Sequence, residues 1–111
     1  MTPGCRDKQD FKVLVYAWAA KLDVPVKALT LRDMKTKWAS CSSAGVLTFN
    51  RQLLGLEQEL QEYVIVHELT HFRVPNHGKL WKSLMRAYVG PFEDLEERLR
   101  AVAGPLPGSV D

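Results

Sequence analysis

The sequence has few cysteines, little net charge and no long apolar run. Its two cysteines, Cys5 and Cys41, are too few for a disulfide framework or a four-cysteine metal site. A formal net charge of +2 over 111 residues does not indicate a nucleic-acid-binding protein. No segment approaches the ~18 apolar residues of a transmembrane helix, and acidic residues before segment 13–20 argue against a signal peptide. We therefore expect a monomeric, cytoplasmic protein without a membrane partner.

The length and a hydrophobic fraction of 46% predict one domain over residues 1–111 with one core. The polar residues 1–9 and the Pro- and Gly-containing residues 105–111 are expected to be flexible ends.

Apolar periodicity predicts an α+β fold. Strands are expected over residues 28–32, 37–41 and 46–50, with a turn at 42–45 that favours an antiparallel sheet. The predicted helices run from a cap at Asp10 to the residues before Pro25, over 57–73 and 78–89, and from about Phe92 to Gly104. The helix over 57–73 is apolar almost all round, so it should pass through the centre, with the sheet and the C-terminal helices packed on it.

All three histidines fall within eleven residues, in the string H-E-L-T-H-F-R-V-P-N-H that begins at His67. Residues i and i+4 of a helix share a face, so His67 and His71 can bind one metal ion. Glu68 can then act on a metal-bound water without binding the metal itself. This pattern is typical of a zinc hydrolase and predicts one Zn²⁺ per chain.

The third metal ligand is predicted from a break in the helix. Six residues is not a same-face spacing, but Pro75 ends the helix, and a turn there can return His77 to the metal. The alternative third ligand is a carboxylate on the last helix, from Glu93, Glu96 or Glu97.

Two stretches, K-T-K-W-A-S-C-S at 35–42 and E-Y-V-I-V-H-E-L-T-H at 62–71 followed by N-H-G-K-L-W at 76–81, resemble the YgjP-like metallopeptidase family. That family belongs to the zincin group with the SprT-like and WLM domains. The resemblance covers about residues 34–86, with Ala39 at a usual glycine and Leu80 at a usual phenylalanine, and without the N-terminal β-rich part of longer members. It implies a small zincin-like fold, zinc ligands at His67, His71 and His77, and a base at Glu68.

The predicted activity is hydrolysis of a peptide or protein substrate, in which Glu68 takes a proton from a zinc-activated water. An edge strand, taken to be residues 46–50, could align the peptide. One alternative is a nucleotide phosphohydrolase using the basic side chains of Lys79, Lys82 and Arg86. Another is a non-catalytic zinc domain, or a latent enzyme whose cleft is filled by the tail 105–111.

Further residues are weaker candidates for the site. Substrate binding is considered for Asn50, Asn76 and Trp81, although packing is the ordinary role of Trp81 and Trp38. An oxyanion donor is considered at Tyr63 or Tyr88, an inhibitory thiolate at Cys5, and a buried apolar role at Cys41.

Overall fold

The computed structural model describes residues 3–35 and 37–102. Helix α1 (Lys8–Leu22) is followed by strands β1 (Ala28–Arg32), β2 (Ala39–Cys41) and β3 (Val46–Asn50). A 3-10 turn (Arg51–Gly55) then leads into α2 (Gln58–Thr70), α3 (Lys79–Val89) and α4 (Phe92–Val102). The predicted α+β class is confirmed, and all three strands lie within the expected segments, although β2 begins at Ala39 and not at Lys37.

The sheet is mixed, whereas the sequence analysis expected an antiparallel one. The strand order is β1-β3-β2, with β3 antiparallel to β2 but parallel to β1. The β2–β3 hairpin turns at Gly45, whose φ of 87° is a positive value that glycine adopts more readily than other residues do. The chain leaves β1 at one edge of the sheet and forms β2 at the other edge. Strand β3 then pairs between them. Alternating apolar residues do not encode strand direction, and the prediction was therefore wrong for β1.

A buried asparagine holds this crossover in place. The Asn50 Nδ2 group donates to the carbonyl oxygens of Met34 and Lys37, each at 2.9 Å. Its Oδ1 atom accepts from the Gln52 backbone N–H at 3.0 Å, and the residue is fully buried. The Asn50 amide therefore connects the end of β3 to the segment that leads into β2.

The ends of two helices differ from their predicted positions. Asp7, rather than Asp10, caps α1, because its carboxylate accepts from the Gln9 backbone N–H at 2.6 Å. Asp10 lies in the first turn, where a negative charge is still favourable. Helix α2 ends at Thr70, three residues before the predicted end, and the chain continues in turns to Pro75.

The N-terminal segment, which was expected to be loose, is hydrogen-bonded to α2. The Cys5 backbone N–H donates to Gln61 Oε1 at 2.8 Å, and Gln61 Nε2 donates to the carbonyls of Cys5 and Leu53 at 2.9 and 2.7 Å. Gln61 is fully buried and its amide needs partners, which this segment and Leu53 supply. Residues 105–111, the other predicted flexible end, lie outside the described residues.

The core lies around α2, as its apolar sequence predicts. Ten of its residues are buried, including every residue from Tyr63 to Thr70. Helix α1 packs on α2 and also contacts β3, where the rings of Phe11 and Phe49 meet edge to face at 5.3 Å. None of the described helices is long and apolar enough to cross a membrane.

Candidate metal centre

The fold brings the three histidines together. Their ligand-type nitrogen atoms all lie within 4.8 Å of one another, and the Nε2 atoms of His71 and His77 are 3.1 Å apart. Nitrogen ligands of one tetrahedral zinc ion, at 2.0–2.1 Å from it, are about 3.3 Å apart. The three side chains therefore fit one small metal ion after small side-chain movements.

A turn after α2 returns His77 to this cluster, as expected from Pro75. The Val74 backbone N–H donates to the Thr70 carbonyl at 2.9 Å, and Asn76 Oδ1 accepts from the Gly78 backbone N–H at 2.9 Å. As a result, the rings of His71 and His77 are 4.7 Å apart between centroids. The Asn76 side chain thus shapes the loop that carries the third histidine.

The same turn determines which nitrogen of His71 is available. Its Nδ1 atom lies 3.0 Å from the Val74 carbonyl oxygen. Since a carbonyl oxygen only accepts, Nδ1 is the donor in this bond, which leaves Nε2 as the nitrogen on the side of His77. Such a backbone partner is typical of metal-binding histidines.

Burial keeps His67 neutral. The ring is 4% exposed, and its pKa is lowered to about 3, first by burial and then by the nearby His71 and His77. At neutral pH this imidazole is therefore unprotonated, which is the form that binds a metal.

Trp81 of α3 packs against all three imidazoles. Its ring centroid is 5.0 Å from that of His67, 4.7 Å from His77, and 5.9 Å from His71 in a stacked arrangement. Trp81 is 4% exposed and contacts Phe92 on its other side. It is therefore a wall that limits movement of the histidines, which agrees with the packing role expected for a tryptophan.

Glu68 lies on the side of the cluster that opens into a large cavity. Glu68 is only 1% exposed, yet it lines a cavity of about 600 Å³ together with His71. The cavity extends from the metal centre to β2 and the β2–β3 turn, and its other lining residues include Lys27, Lys37, Ser40, Cys41 and Phe72.

The carboxylates considered as alternative ligands are outside the histidine cluster. Among residues 3–35 and 37–102, the cluster of side chains that could hold a metal ion here consists of the three histidines alone. Glu93 pairs with Arg86, and Glu96 pairs with Arg100 at 2.9 Å. Glu96 does line a smaller cavity with His67 and His77. Glu97 is exposed on α4.

The two tyrosines differ in position. Tyr63 is buried one turn before His67, with the two ring centroids 5.8 Å apart. Tyr88 instead packs on Trp18 at 6.3 Å and lines cavities that contain none of the histidines. The structure therefore places only Tyr63 beside the candidate metal centre.

Both cysteines lie outside the histidine cluster. The backbone of Cys5 is tied to Gln61, and burial, followed by the charge of Asp10, raises the pKa of its thiol. Cys5 is thus not in the histidine cluster and is not favoured as a thiolate. Cys41 was expected to be buried, but it is half-exposed and lines the large cavity.

Three observations were missed from the sequence. The carbonyl of Val74 and the amide of Gln61 organise the surroundings of α2, but neither belongs to a recognisable motif. The wall formed by Ser40 and Cys41 could have been suspected, because both lie in the W-A-S-C segment.

Comparison with known families identifies the chain. The model for the YgjP-like, metallopeptidase domain matches residues 6–102. The chain belongs to the YgjP-like metallopeptidase family. It is therefore a peptidase that depends on a metal ion and acts on peptide substrates. This YgjP-like chain is also 30% identical over 101 residues to the uncharacterized protein MJ0123 of Methanocaldococcus jannaschii, covering 86% of this chain and 92% of that protein.

Two crystal structures resemble the YgjP-like chain. One is the metallopeptidase zymogen of Methanocaldococcus jannaschii jannalysin, with a TM-score of 0.74, 27% identity, and coverage of 85% of this chain and 97% of that one. The other is the metallopeptidase zymogen of Pyrococcus abyssi abylysin, with a TM-score of 0.71, 22% identity, and coverage of 82% and 92%. The second likeness concerns the fold alone.

Proposed function

We propose that this metallopeptidase uses one zinc ion, held by His67, His71 and His77, and that Glu68 is its general base. The observation that carries the proposal is the convergence of three imidazoles beside a carboxylate that lines the same cavity as His71. Imidazole ligands suit zinc, and three of them leave a fourth position open for water or substrate.

The chain's own residues would handle the proton. When bound, zinc lowers the pKa of a coordinated water towards ~7 and polarises the scissile carbonyl. Glu68 accepts the proton from the attacking water and later donates it to the leaving amine. His71 keeps its orientation through the Nδ1 bond to the Val74 carbonyl at 3.0 Å. Trp81 limits the movement of all three rings.

Strand β2 is the element that we propose aligns the substrate. The sequence analysis assigned this role to residues 46–50, but they form β3, the central strand of the sheet, so that assignment was wrong. Among the described strands, β2 pairs only with β3, and its Ser40 and Cys41 line the cavity that contains Glu68. An extended peptide can add to such an edge through backbone hydrogen bonds.

The test is Glu68→Gln, which keeps the shape of the side chain but cannot accept a proton. We expect zinc content and folding to be unchanged and peptide hydrolysis to fall by about 100-fold or more. Glu96→Gln is a matched control, because Glu96 lines a different cavity from Glu68. Hydrolysis by Glu68→Gln at the wild-type rate would contradict the assignment of the base.

A latent form is a second proposal. The jannalysin structure, 27% identical to this chain, is that of a metallopeptidase zymogen, which favours an inactive state here as well. A nucleotide phosphohydrolase is less favoured, because the family match is to metallopeptidases and Arg86, one of its three expected phosphate ligands, is paired with Glu93.

We also propose that the chain is a cytoplasmic monomer. The sequence has two cysteines, too few for a disulfide framework, which suits a reducing compartment.

A further inference from the structure

A groove runs along β2 from the candidate metal centre to the segment before that strand. The cavity of about 600 Å³ that contains Glu68 shares Lys37 and Ser40 with a second cavity of about 310 Å³. The second cavity is lined mainly by residues of the crossover between β1 and β2. We call the two together the β2 groove. The lining residues used below are Lys27, Arg32, Asp33, Lys35, Lys37 and Glu68.

Positive charge predominates in the β2 groove. Four of these side chains are cationic and exposed, whereas Asp33 and Glu68 are its acidic members. Within residues 3–35 and 37–102, none of the four cationic groups takes part in an ion pair. The arginines on the helical side are different, since Arg73, Arg86 and Arg98 each pair with a carboxylate.

A separate cavity at the metal centre has another character. The cavity there is lined by the rings of Tyr63, Trp81 and Phe92 and by one charged side chain of each sign, Lys82 and Glu96. Unpaired charges of one sign in a cleft attract ligands of the opposite sign. Such attraction is therefore expected on the β2 side of the metal centre and not on the aromatic side.

We propose that the β2 groove makes this enzyme selective for peptides with acidic side chains on the side of the scissile bond that lies along β2. Lys27 and Lys37 are the residues that determine the preference, since both line the same cavity as Glu68. Arg32 and Lys35 extend the preference to acidic side chains further from the bond. The inference rests on the proposed function of the same site and names its substrate class.

The first measurement is binding, which does not depend on turnover. Fluorescent peptides of one sequence, with either Glu or Lys at the positions flanking the central bond, are titrated into zinc-loaded Glu68→Gln protein and followed by anisotropy. An exposed ion pair changes affinity by up to about fivefold, so with two lysines we expect the Glu peptide to bind about tenfold more tightly. The preference should shrink in high salt, because exposed charges are screened.

The decisive variant combines Lys27→Glu with Lys37→Glu. It should abolish or reverse the preference for the Glu peptide, in binding and in the ratio of kcat/KM values for the two peptides. Lys8→Glu with Lys12→Glu is the matched control, because it changes the net charge equally on α1 and neither lysine lines the groove. This control should keep the wild-type preference.

The outcomes separate this inference from the proposed function. Cleavage of both peptides at equal kcat/KM, or a preference that survives Lys27→Glu with Lys37→Glu, would overturn the inference and leave the zinc peptidase in place. Tight, salt-sensitive binding of the Glu peptide without metal-dependent cleavage of either peptide would support the groove and overturn the proposed function.

Discussion

Replacing Asn50 with alanine should destabilise the protein strongly while leaving the metal ligands in place. The amide makes three hydrogen bonds, two as donor to the carbonyls of Met34 and Lys37 and one as acceptor from the Gln52 backbone. The residue is fully buried, so alanine would leave these groups without their partner and create a small cavity.

The magnitude follows from the number of bonds. A typical hydrogen bond contributes about 1 kcal/mol net, so three of them amount to about 3 kcal/mol. For a domain of this size, such a loss lowers Tm by roughly 10 °C or more. Because the bonds hold the crossover that places β2 beside the metal centre, peptide hydrolysis should also become more sensitive to temperature.

Urea unfolding of the metal-free protein is the assay, with a fall in the midpoint at an unchanged slope as the expected result. Asn76→Ala is the matched control, since that exposed side chain makes one local bond to the Gly78 backbone and should cost about 1 kcal/mol or less. If Asn50→Ala kept wild-type stability but raised KM for peptides, the structural role would be refuted and the substrate-binding candidate of the sequence analysis supported.

Three further predictions concern the metal centre. His77→Ala should weaken zinc binding by more than about 100-fold in a chelator competition while Glu96→Gln should not, and unchanged affinity in the first variant would move the third ligand to Glu96. The free energy of unfolding of the metal-free wild type should fall as the pH decreases below 6.5, by about 2 kcal/mol at pH 5. The reason is that His67 binds a proton in the unfolded chain but stays unprotonated in the folded protein, where its pKa is about 3. His67→Asn should remove this contribution to the pH dependence of stability, measured by urea unfolding. A variant with the same pH profile as the wild type would contradict the assignment to His67. Truncation after Gly104 should raise peptide hydrolysis at constant zinc content, whereas equal rates would exclude the tail as an inhibitory segment.

The parts of this protein that could be predicted are those encoded by short-range patterns. The helical spacing of His67 and His71 and the turn that ends at Gly45 each depend on neighbouring residues. Their predicted positions hold because backbone sterics and helical geometry act over a few residues. The predicted end of α2 lies three residues after the observed one, because the end of a helix depends on which local hydrogen bonds replace the helical ones.

The errors share a different cause. Asn50 and Gln61 are buried amides whose partners come from 13 to 16 and up to 56 residues away. No local pattern reveals such partners, so the crossover after β1 and the attachment of the N-terminal segment were not anticipated. The parallel pairing of β1 with β3 is of the same kind, because a strand's apolar alternation is the same in either direction.

The sequence by itself therefore determined which side chains form the candidate centre, because three imidazoles and one carboxylate lie within eleven consecutive residues. Only the tertiary structure decided what faces that centre. Strand β2, rather than β3, lines the cavity because the crossover places it at the edge of the sheet, and Lys27 and Lys37 meet there from separate segments. Ligand spacing depends on one helix and one turn, whereas a cleft forms only where distant segments pack together.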